Sequence, residues 1–345
     1  FEPKNLTRGQ DLEYVVTFEV YPEVKRLDIQ GKKIERAQTA VGESDVDTTL
    51  ETLRKQRMGW QAAARAAKEG DRLTIDFVGK LNGEAFQGGT ATGFHLVLGS
   101  HSLIAGFEEG LLGAKAGESR SLSLSFPADY HNKTLAGQPT VFEVTVTEVA
   151  EPVLPEVNEE FARQFGIADG SVAQLRAEVR SNLERELAVR QRADLREQVF
   201  KAIIEVNALE VPKALEESEV ERLVNQSRQS LAAQGLPVDR IPIDPTVFVD
   251  RARRHVALGL ILADLIQKRG FKPEPDKVRA RLAEMAASYD SPEEFINWHF
   301  ARPERLAEVE SLVLEDMAVD ALMETAELVD KAVDFQEFMR PGARR

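Results

Sequence analysis

The chain has 345 residues, 43% hydrophobic and 30% charged, with a formal net charge of −14 and no cysteine. That length is too great for one comfortable core and calls for two or three domains. The charge opposes a phosphate backbone, with no Lys/Arg stripe large enough to overturn it, so direct nucleic-acid binding is not expected. Without cysteine there are no disulfides, thiolate nucleophiles or Cys-based zinc sites, which fits a cytoplasmic chain. No segment reaches the ~18–20 unbroken apolar residues of a membrane span.

Phe1 is not an initiator Met, and neither an apolar signal core nor an Arg-rich transit helix follows it. Instead Leu12, Tyr14, Val16, Phe18 and Val20 alternate with Glu13, Thr17 and Glu19 in a strand pattern that Tyr21-Pro22 ends. A lone strand cannot pair its own backbone groups, so an upstream domain is expected to be missing. Ser44-Asp45 predicts the N-cap of a helix running to about Met58, within a connector.

From Asp71 the period becomes two. Leu73, Ile75 and Phe77 alternate with Thr74, Asp76 and Val78, and Asn82-Gly83 supplies a tight turn. Further strands are predicted at Phe94–Leu98, around Leu122, Leu124 and Phe126, and around Phe142, Val144 and Val146. One short helix is expected at Leu103–Leu112. The segment predicts an antiparallel sheet wrapped on one helix, an α+β unit of domain size.

After Glu151-Pro152-Val153-Leu154-Pro155 the period turns helical and stays so. Ser171-x-x-Gln174 predicts a capping box opening a helix that continues to Val206. Pro212 and Gly235 bracket a second helix, and Pro237, Pro242 and Pro245 break the next stretch. Helices follow at about 247–269, 276–289, 292–300 and 303–327. Long helices with short breaks suggest hairpins. Leu183, Leu187, Val199 and Ile203 could serve core or an exposed apolar surface, with core the default.

The histidines, His95, His101, His131, His255 and His299, are not spaced as a helical metal pair or set beside a nucleophile motif. Gly88-Gly89 and the glycines at 106, 110 and 113 lack a P-loop Lys-Ser/Thr and a dinucleotide fingerprint, and are read as turn and packing glycines. Glu108-Glu109 is read as a solvated face, because adjacent helical residues point in different directions. What remains is an aromatic set, Phe77, Phe86, Phe94, Phe107, Tyr130 and Phe142, which periodicity alone assigns mostly to core.

Leu98-Gly99 followed by Leu103-Ile104-Ala105-Gly106-Phe107-Glu108-Glu109-Gly110-Leu111, then Phe126-Pro127-Ala128-Asp129-Tyr130 and Phe142-Glu143-Val144, resembles the FKBP-type prolyl isomerases over nearly all of 71–150. The resemblance implies Phe107 as the floor of a proline pocket, where single-domain members usually have Trp, and Phe77, Phe94 and Phe142 as its walls. It implies Leu103 and Ile104 as rim and backbone contact, Tyr130 as the hydroxyl meeting a substrate carbonyl, and Phe86 and Gln87 at an aromatic-acid pair. Gln87 is not the acid, and Phe77 replaces a frequent Tyr. Neither cofactor nor metal is implied.

The flanks, Phe18-Glu19-Val20-Tyr21-Pro22-Glu23-Val24, Gln164-Phe165-Gly166 and Asp169-Gly170-Ser171-Val172, are similar to the bacterial trigger factor family, ribosome-associated chaperones. The implied fold is multidomain, α+β and all-α: an FKBP-like antiparallel sheet wrapped on a short helix, and an elongated helical-hairpin C-terminal chaperone domain with arms. The implied division is 1–24 as the last strand of a truncated ribosome-binding domain, 25–70 as a connector whose helix packs with the C-terminal domain, 71–150 as the isomerase and 151–345 as the chaperone domain. The family's Gly-Phe-Arg-x-Gly docking signature is absent. The implied partners are unfolded or nascent polypeptides and, through the missing domain, the ribosome; a homodimer is left open. Alternatives are an exported FKBP-type isomerase with a helical dimerisation module, and a helical chaperone with a vestigial isomerase domain.

Overall fold

A computed structural model describes residues 2–5, 13–15, 18–130, 132–236, 242–286, 289, 291–340 and 342. The chain forms two compact units, one of residues 41–184 and one of residues 1–40 with 185–345.

The 41–184 unit opens with α1 (Glu43–Gln56), capped at Gly42, whose N–H donates to the Asp45 carboxylate at 2.9 Å. The cap thus lies ahead of the expected Ser44-Asp45, because Asp45 reaches back as a side-chain acceptor from inside the first turn. Arg176 and Arg180 bind the exposed carboxylates at this helix start. A five-stranded sheet follows, of β4 (Gly59–Ala62), β5 (Arg72–Leu81), β6 (Glu84–Val97), β7 (Ser119–Ser125) and β8 (Pro139–Val153). Long β8 pairs with β5 on one side; on the other it takes β7 along its first half and β4 along its last residues. The sheet therefore reaches upstream of Asp71 to Gly59.

Asn82 and Gly83 take φ of 52° and 88°, the two positive values that a tight primed hairpin turn needs to match strand twist. Alternation holds along β5, where Leu73 and Ile75 are fully buried against Leu96, Phe107, Val144 and Val146. In place of the helix expected at Leu103–Leu112 the chain makes turns and a single 3-10 turn, Glu109–Leu111. Gly106, at φ 88°, breaks the helical path, and Arg120 seals the turn by donating to the carbonyls of Gly110 and Leu112 at 2.9 and 2.8 Å. Short α2 (Glu159–Gln164), capped by Asn158, and the start of α3 (Val172–Val206) complete the unit. Gln174 N–H donates to Ser171 Oγ at 3.2 Å, half of the expected capping box.

In the second unit, β1 (Glu2–Asn5) pairs antiparallel with β2 (Glu13–Val15), so the N-terminal strand is not unpartnered. Leu12, Val16 and Thr17 lie outside the described residues, and Phe18–Tyr21 is not strand. The main core joins Ile29 and Ile34 to Val199 and Ile203 of α3, Ile261 and Leu265 of α5 (Val249–Arg269) and Leu322 of α8 (Pro303–Met323). Val199 and Ile203 are thus core, as is Leu187, whereas Leu183 is half-buried. Buried Asn207 exchanges hydrogen bonds with the backbone of Arg26 at 2.9 and 2.8 Å, fixing the chain before Ile29 to the end of α3.

Helix α4 (Lys213–Ala233) follows Pro212 and ends before Gly235, as expected. Of the three breaking prolines, Pro237 lies outside the described residues and Pro245 opens a 3-10 turn. A smaller core joins α6 (Pro275–Ala286), α7 (Pro292–Phe300) and α8 through Val278, Leu282, Val309, Val313 and Phe295.

Two strands were not expected from the sequence. β3 (Lys33–Gln38) pairs in parallel with β9 (Glu327–Ala332), and α8 stops at Met323 rather than running to 327. Their partners lie nearly the whole chain apart, so no local pattern announces them. The chain ends on α9 (Phe335–Met339), capped by Asp334.

Candidate functional site

One face of the 41–184 sheet holds a cavity of about 230 Å³ lined by Phe77, Phe86, Gln87, Leu103, Ile104, Phe107, Phe126, Tyr130 and Phe142, with Gly88, Gly89, Asn132 and Leu135 at its margin. Eight of the nine residues expected from the sequence therefore meet there. Phe94, the ninth, stands behind the wall: it pairs with Ile75 across the sheet and touches Phe77 edge to face at 5.8 Å. A register irregularity between Ile75 and Phe77 offsets Phe94 from the ring it was expected to flank.

The rings brace one another edge to face. Phe107, 2% exposed, sits 5.2 Å from Phe142 and 5.7 Å from Phe77, with interplanar angles of 72° and 75°. Phe142 also meets Phe86 at 6.1 Å and Phe126 joins Phe86 at 5.9 Å, both near perpendicular, while Tyr130 lies tilted at 48° against Phe126 at 4.7 Å. Such perpendicular packing suits the aromatic quadrupole and locks rotamers, so the cavity wall is preformed. Gly79 lies opposite Phe142 on β8, and a Cβ there would come within 2.6 Å of Phe142 and 2.7 Å of Phe86. Gly89 makes the same room on the other side of Phe86. A side chain at either position would collide with these rings, so glycine there leaves the space they occupy.

Phe126, Asn132 and Leu135 were not anticipated as site residues. Phe126 carried the signal, an inward position continuing the Leu122 and Leu124 alternation, but periodicity alone does not separate a cavity wall from core.

Glu108 overturns the solvated-face reading. Its side chain is buried and accepts N–H bonds from Gly99 at 2.8 Å, Ser102 at 2.9 Å and His101 at 3.1 Å, and a hydroxyl bond from Ser100 at 3.2 Å. Burial pushes this carboxyl up, but the amides of His101, Ser102 and Gly99 and the Ser100 hydroxyl outweigh it and hold the group below the ordinary carboxylate range. The residue after the cavity floor thereby folds the loop that leads into Leu103 and Ile104. Asp71 does similar work at the start of β5. It is fully buried, bidentate to Arg65 at 2.6 and 3.0 Å, and accepts the Lys68 N–H at 2.9 Å. Burial raises its carboxyl, and Arg65 with the Lys68 amide lowers it further than burial lifts it.

His95 contacts Thr74, His255 contacts Glu219, and buried His299 meets the Phe295 carbonyl; His131 lies outside the described residues. Among the described residues there is no grouping of three or more His, Asp or Glu side chains that could hold a metal, and no helix long and apolar enough to cross a membrane.

A cavity of this kind can act on a peptide bond without a nucleophile. Rotation about an X-Pro amide costs ~20 kcal/mol because the planar form is resonance-stabilised. A dry aromatic box disfavours the planar, charge-separated amide relative to the twisted one, and ~4 kcal/mol of such preference gives about a thousandfold. A cavity of ~150 Å³ already holds a benzene ring, so about 230 Å³ accommodates a five-membered ring and its flanking peptide groups.

Comparison with known proteins follows the same lines. The family model for FKBP-type peptidyl-prolyl cis-trans isomerase matches residues 63–147, the one for the C-terminus of bacterial trigger factor protein matches 171–324, and a second trigger factor model matches 1–53. This last match corrects the expectation that the N-terminal domain is largely missing: its region is present, and runs well past the single strand foreseen at 1–24. Trigger factors of Pseudomonas fluorescens and a Marinomonas species are 47% and 44% identical over 99% of this chain, and 78% and 77% of their own lengths are covered. Azoarcus trigger factor is 44% identical with the same 99% and 78% coverage. A solved chain from work on substrate recognition by the trigger factor chaperone aligns at 19% identity with a TM-score of 0.44, over 88% of this chain and 73% of that one, too loosely to bear on the fold. Relatives this similar over nearly the whole length, with all three family models in order, settle the matter: the chain belongs to the trigger factor family, and is a chaperone carrying an FKBP-type peptidyl-prolyl isomerase domain.

Proposed function

We propose that the cavity over Phe107 takes the ring of a substrate proline and is where isomerisation occurs. The observation that carries this is the closed set of edge-to-face rings, Phe77, Phe86, Phe107, Phe126 and Phe142, around one preformed cavity. Phe107 is the floor; Phe77, Phe142 and Phe86 are walls, and Phe94 buttresses Phe77. Leu103 forms the rim, the Ile104 backbone N–H and the Tyr130 hydroxyl engage the carbonyls flanking the twisted bond, and Gln87 contacts the substrate backbone at the mouth. In this reading the isomerase domain spans 71–150 together with β4, and the holding of unfolded chains belongs to 151–345 with 25–70. Work in the cytoplasm on nascent chains, and association with the ribosome, complete the reading; cosedimentation with ribosomes at physiological salt tests the latter.

The site itself is tested by isomerisation of an X-Pro peptide. Phe107→Leu and Tyr130→Phe, each folded by circular dichroism, should lower kcat/KM at least about tenfold, the loss expected when a transition-state contact goes. Unchanged turnover in both would place the chemistry elsewhere.

A further inference from the structure

The two-stranded parallel sheet of β3 and β9 has one closed edge and one open edge. The Glu327 N–H donates to Lys32 and the Val333 N–H to Gln38, so the odd-numbered residues of β9 face β3. The even-numbered residues, Leu328, Asp330 and Ala332, consequently turn their N–H and C=O groups outward. On the far side of β3 the middle of the edge is occupied: Gln198 accepts from the Glu35 N–H and donates to its C=O, both at 2.8 Å, and Gln191 donates to the Ala37 C=O at 2.9 Å. Among the described residues no side chain covers β9 in this way. Its outward groups have no partner among the described residues, and all six residues of the strand are exposed.

An open strand edge is a template for another strand, and proteins ordinarily blunt it with charged side chains, proline, a bulge or a covering segment. Among the described residues β9 has no proline, bulge or covering segment, and its charged residues, Glu327, Asp330 and Lys331, are tied up in pairs with β3. Arg36 binds Asp330 through two bonds at 2.7 and 3.0 Å, and Lys331 reaches Glu35 at 2.9 Å. These pairs also neutralise the flanking charges, so nothing beside the edge selects an acidic or a basic partner, while Leu328 and Val329 remain exposed as apolar surface.

We propose that the outer edge of β9 is a docking site for extended segments of unfolded client chains, which add to the sheet through main-chain hydrogen bonds. The occupant follows from the activity. A chaperone meets many sequences, and the alternating N–H and C=O groups of an extended backbone are the one feature that every unfolded segment offers at the spacing of Leu328, Asp330 and Ala332. Augmentation on a charge-neutral edge supplies affinity without sequence choice.

The inference rests on the chaperone activity but not on the proline cavity, and its test separates the two. The probe is a fluorescent, proline-free, Val/Thr-rich decapeptide, and its binding to the full chain is followed by anisotropy. Leu328→Pro and Ala332→Pro each remove one outward donor without touching the bonds to β3, since proline is tolerated where a strand N–H faces solvent. Each should weaken binding about fivefold, the size of one hydrogen bond's net contribution, and the double variant correspondingly more, with isomerase turnover unchanged. With the wild-type chain, replacing single peptide amides by esters should weaken binding at alternate positions only, a signature that purely apolar contact does not give. Unaltered affinity in folded variants together with a flat ester scan would overturn the proposal. So would a wild-type dimer that both proline variants dissociate while peptide binding persists, since the edge would then belong to a second copy.

Discussion

Replacing Glu108 by Gln keeps the shape of the side chain and removes the charge that gathers four donors. In the folded chain the carboxylate accepts from Gly99, His101, Ser102 and the Ser100 hydroxyl at 2.8–3.2 Å. Hydrogen bonds to a charged group contribute ~1.5–3 kcal/mol each when fully enclosed. Here the loop donors lie at an exposed stretch, 99–102, where water can replace part of what is lost, and the amide still offers one oxygen. A net loss of ~2–4 kcal/mol is therefore expected rather than the full sum, which lowers the melting midpoint by roughly 5–12 °C for a unit of this size. Because the loop runs straight into Leu103 and Ile104, kcat/KM should fall by ~10-fold even where the variant is folded. The pH signature has a definite sign. A carboxyl held below its ordinary value contributes stability that is fully present above the unfolded pKa, near 4.5, and is lost as pH falls through the lower folded value. Glu108→Gln should erase that component of the acid-side loss. Thermal melts of wild type and variant between pH 7 and 3, with turnover at 10 °C, make the measurement. A variant that melts and turns over like wild type would refute the role assigned to this carboxylate.

Gly79→Ala drives a Cβ to within 2.6 Å of Phe142 and 2.7 Å of Phe86, and should cost ~1–3 kcal/mol in a chemical melt while cutting isomerase turnover, whereas Gly→Ala at exposed Gly259, where a Cβ meets nothing, should do neither. Asp71→Ala strands Arg65 with Glu151 alone and frees the Lys68 amide; a loss of ~2–3 kcal/mol by denaturant titration is expected, with unchanged peptide affinity in the folded fraction. Glu219, pulled by the Arg222 hydrogen bond and by His255, against burial, from its ordinary 4.5 to about 2, should stabilise the helical unit above pH 4.5 and lose that contribution as pH falls toward 2; Glu219→Gln should flatten this limb of the melting curve. Excising 59–153 behind a flexible linker should leave suppression of aggregation of a proline-poor client largely intact, and isolated 59–153 should suppress poorly.

What the sequence disclosed was local. The Asn82-Gly83 turn, the alternation of Leu73 and Ile75, the span of α7 and the cap at Ser171 follow from short-range chemistry, and the structure has them in place. The aromatic residues were legible as a set, but only the resemblance to a known family marked them as a cavity rather than core, since an inward Phe looks alike in both. What escaped depended on distance or on a side chain turning back. β3 and β9 are brought together from opposite ends of the chain. Glu108 reads as surface because its partners are backbone amides, which have no sequence signature. Phe94 missed the wall through an irregularity of one residue in pairing.

Whether the proline of a substrate sits among these rings is read from intermolecular nuclear Overhauser effects between an isotope-filtered X-Pro peptide and the ring protons of the phenylalanines. Contacts from the proline Cγ and Cδ protons to Phe77, Phe107 and Phe142 are expected, and their loss in Phe107→Leu. Proline contacts confined to residues outside the cavity, with catalysed cis-trans exchange still visible in the same sample, would contradict that placement.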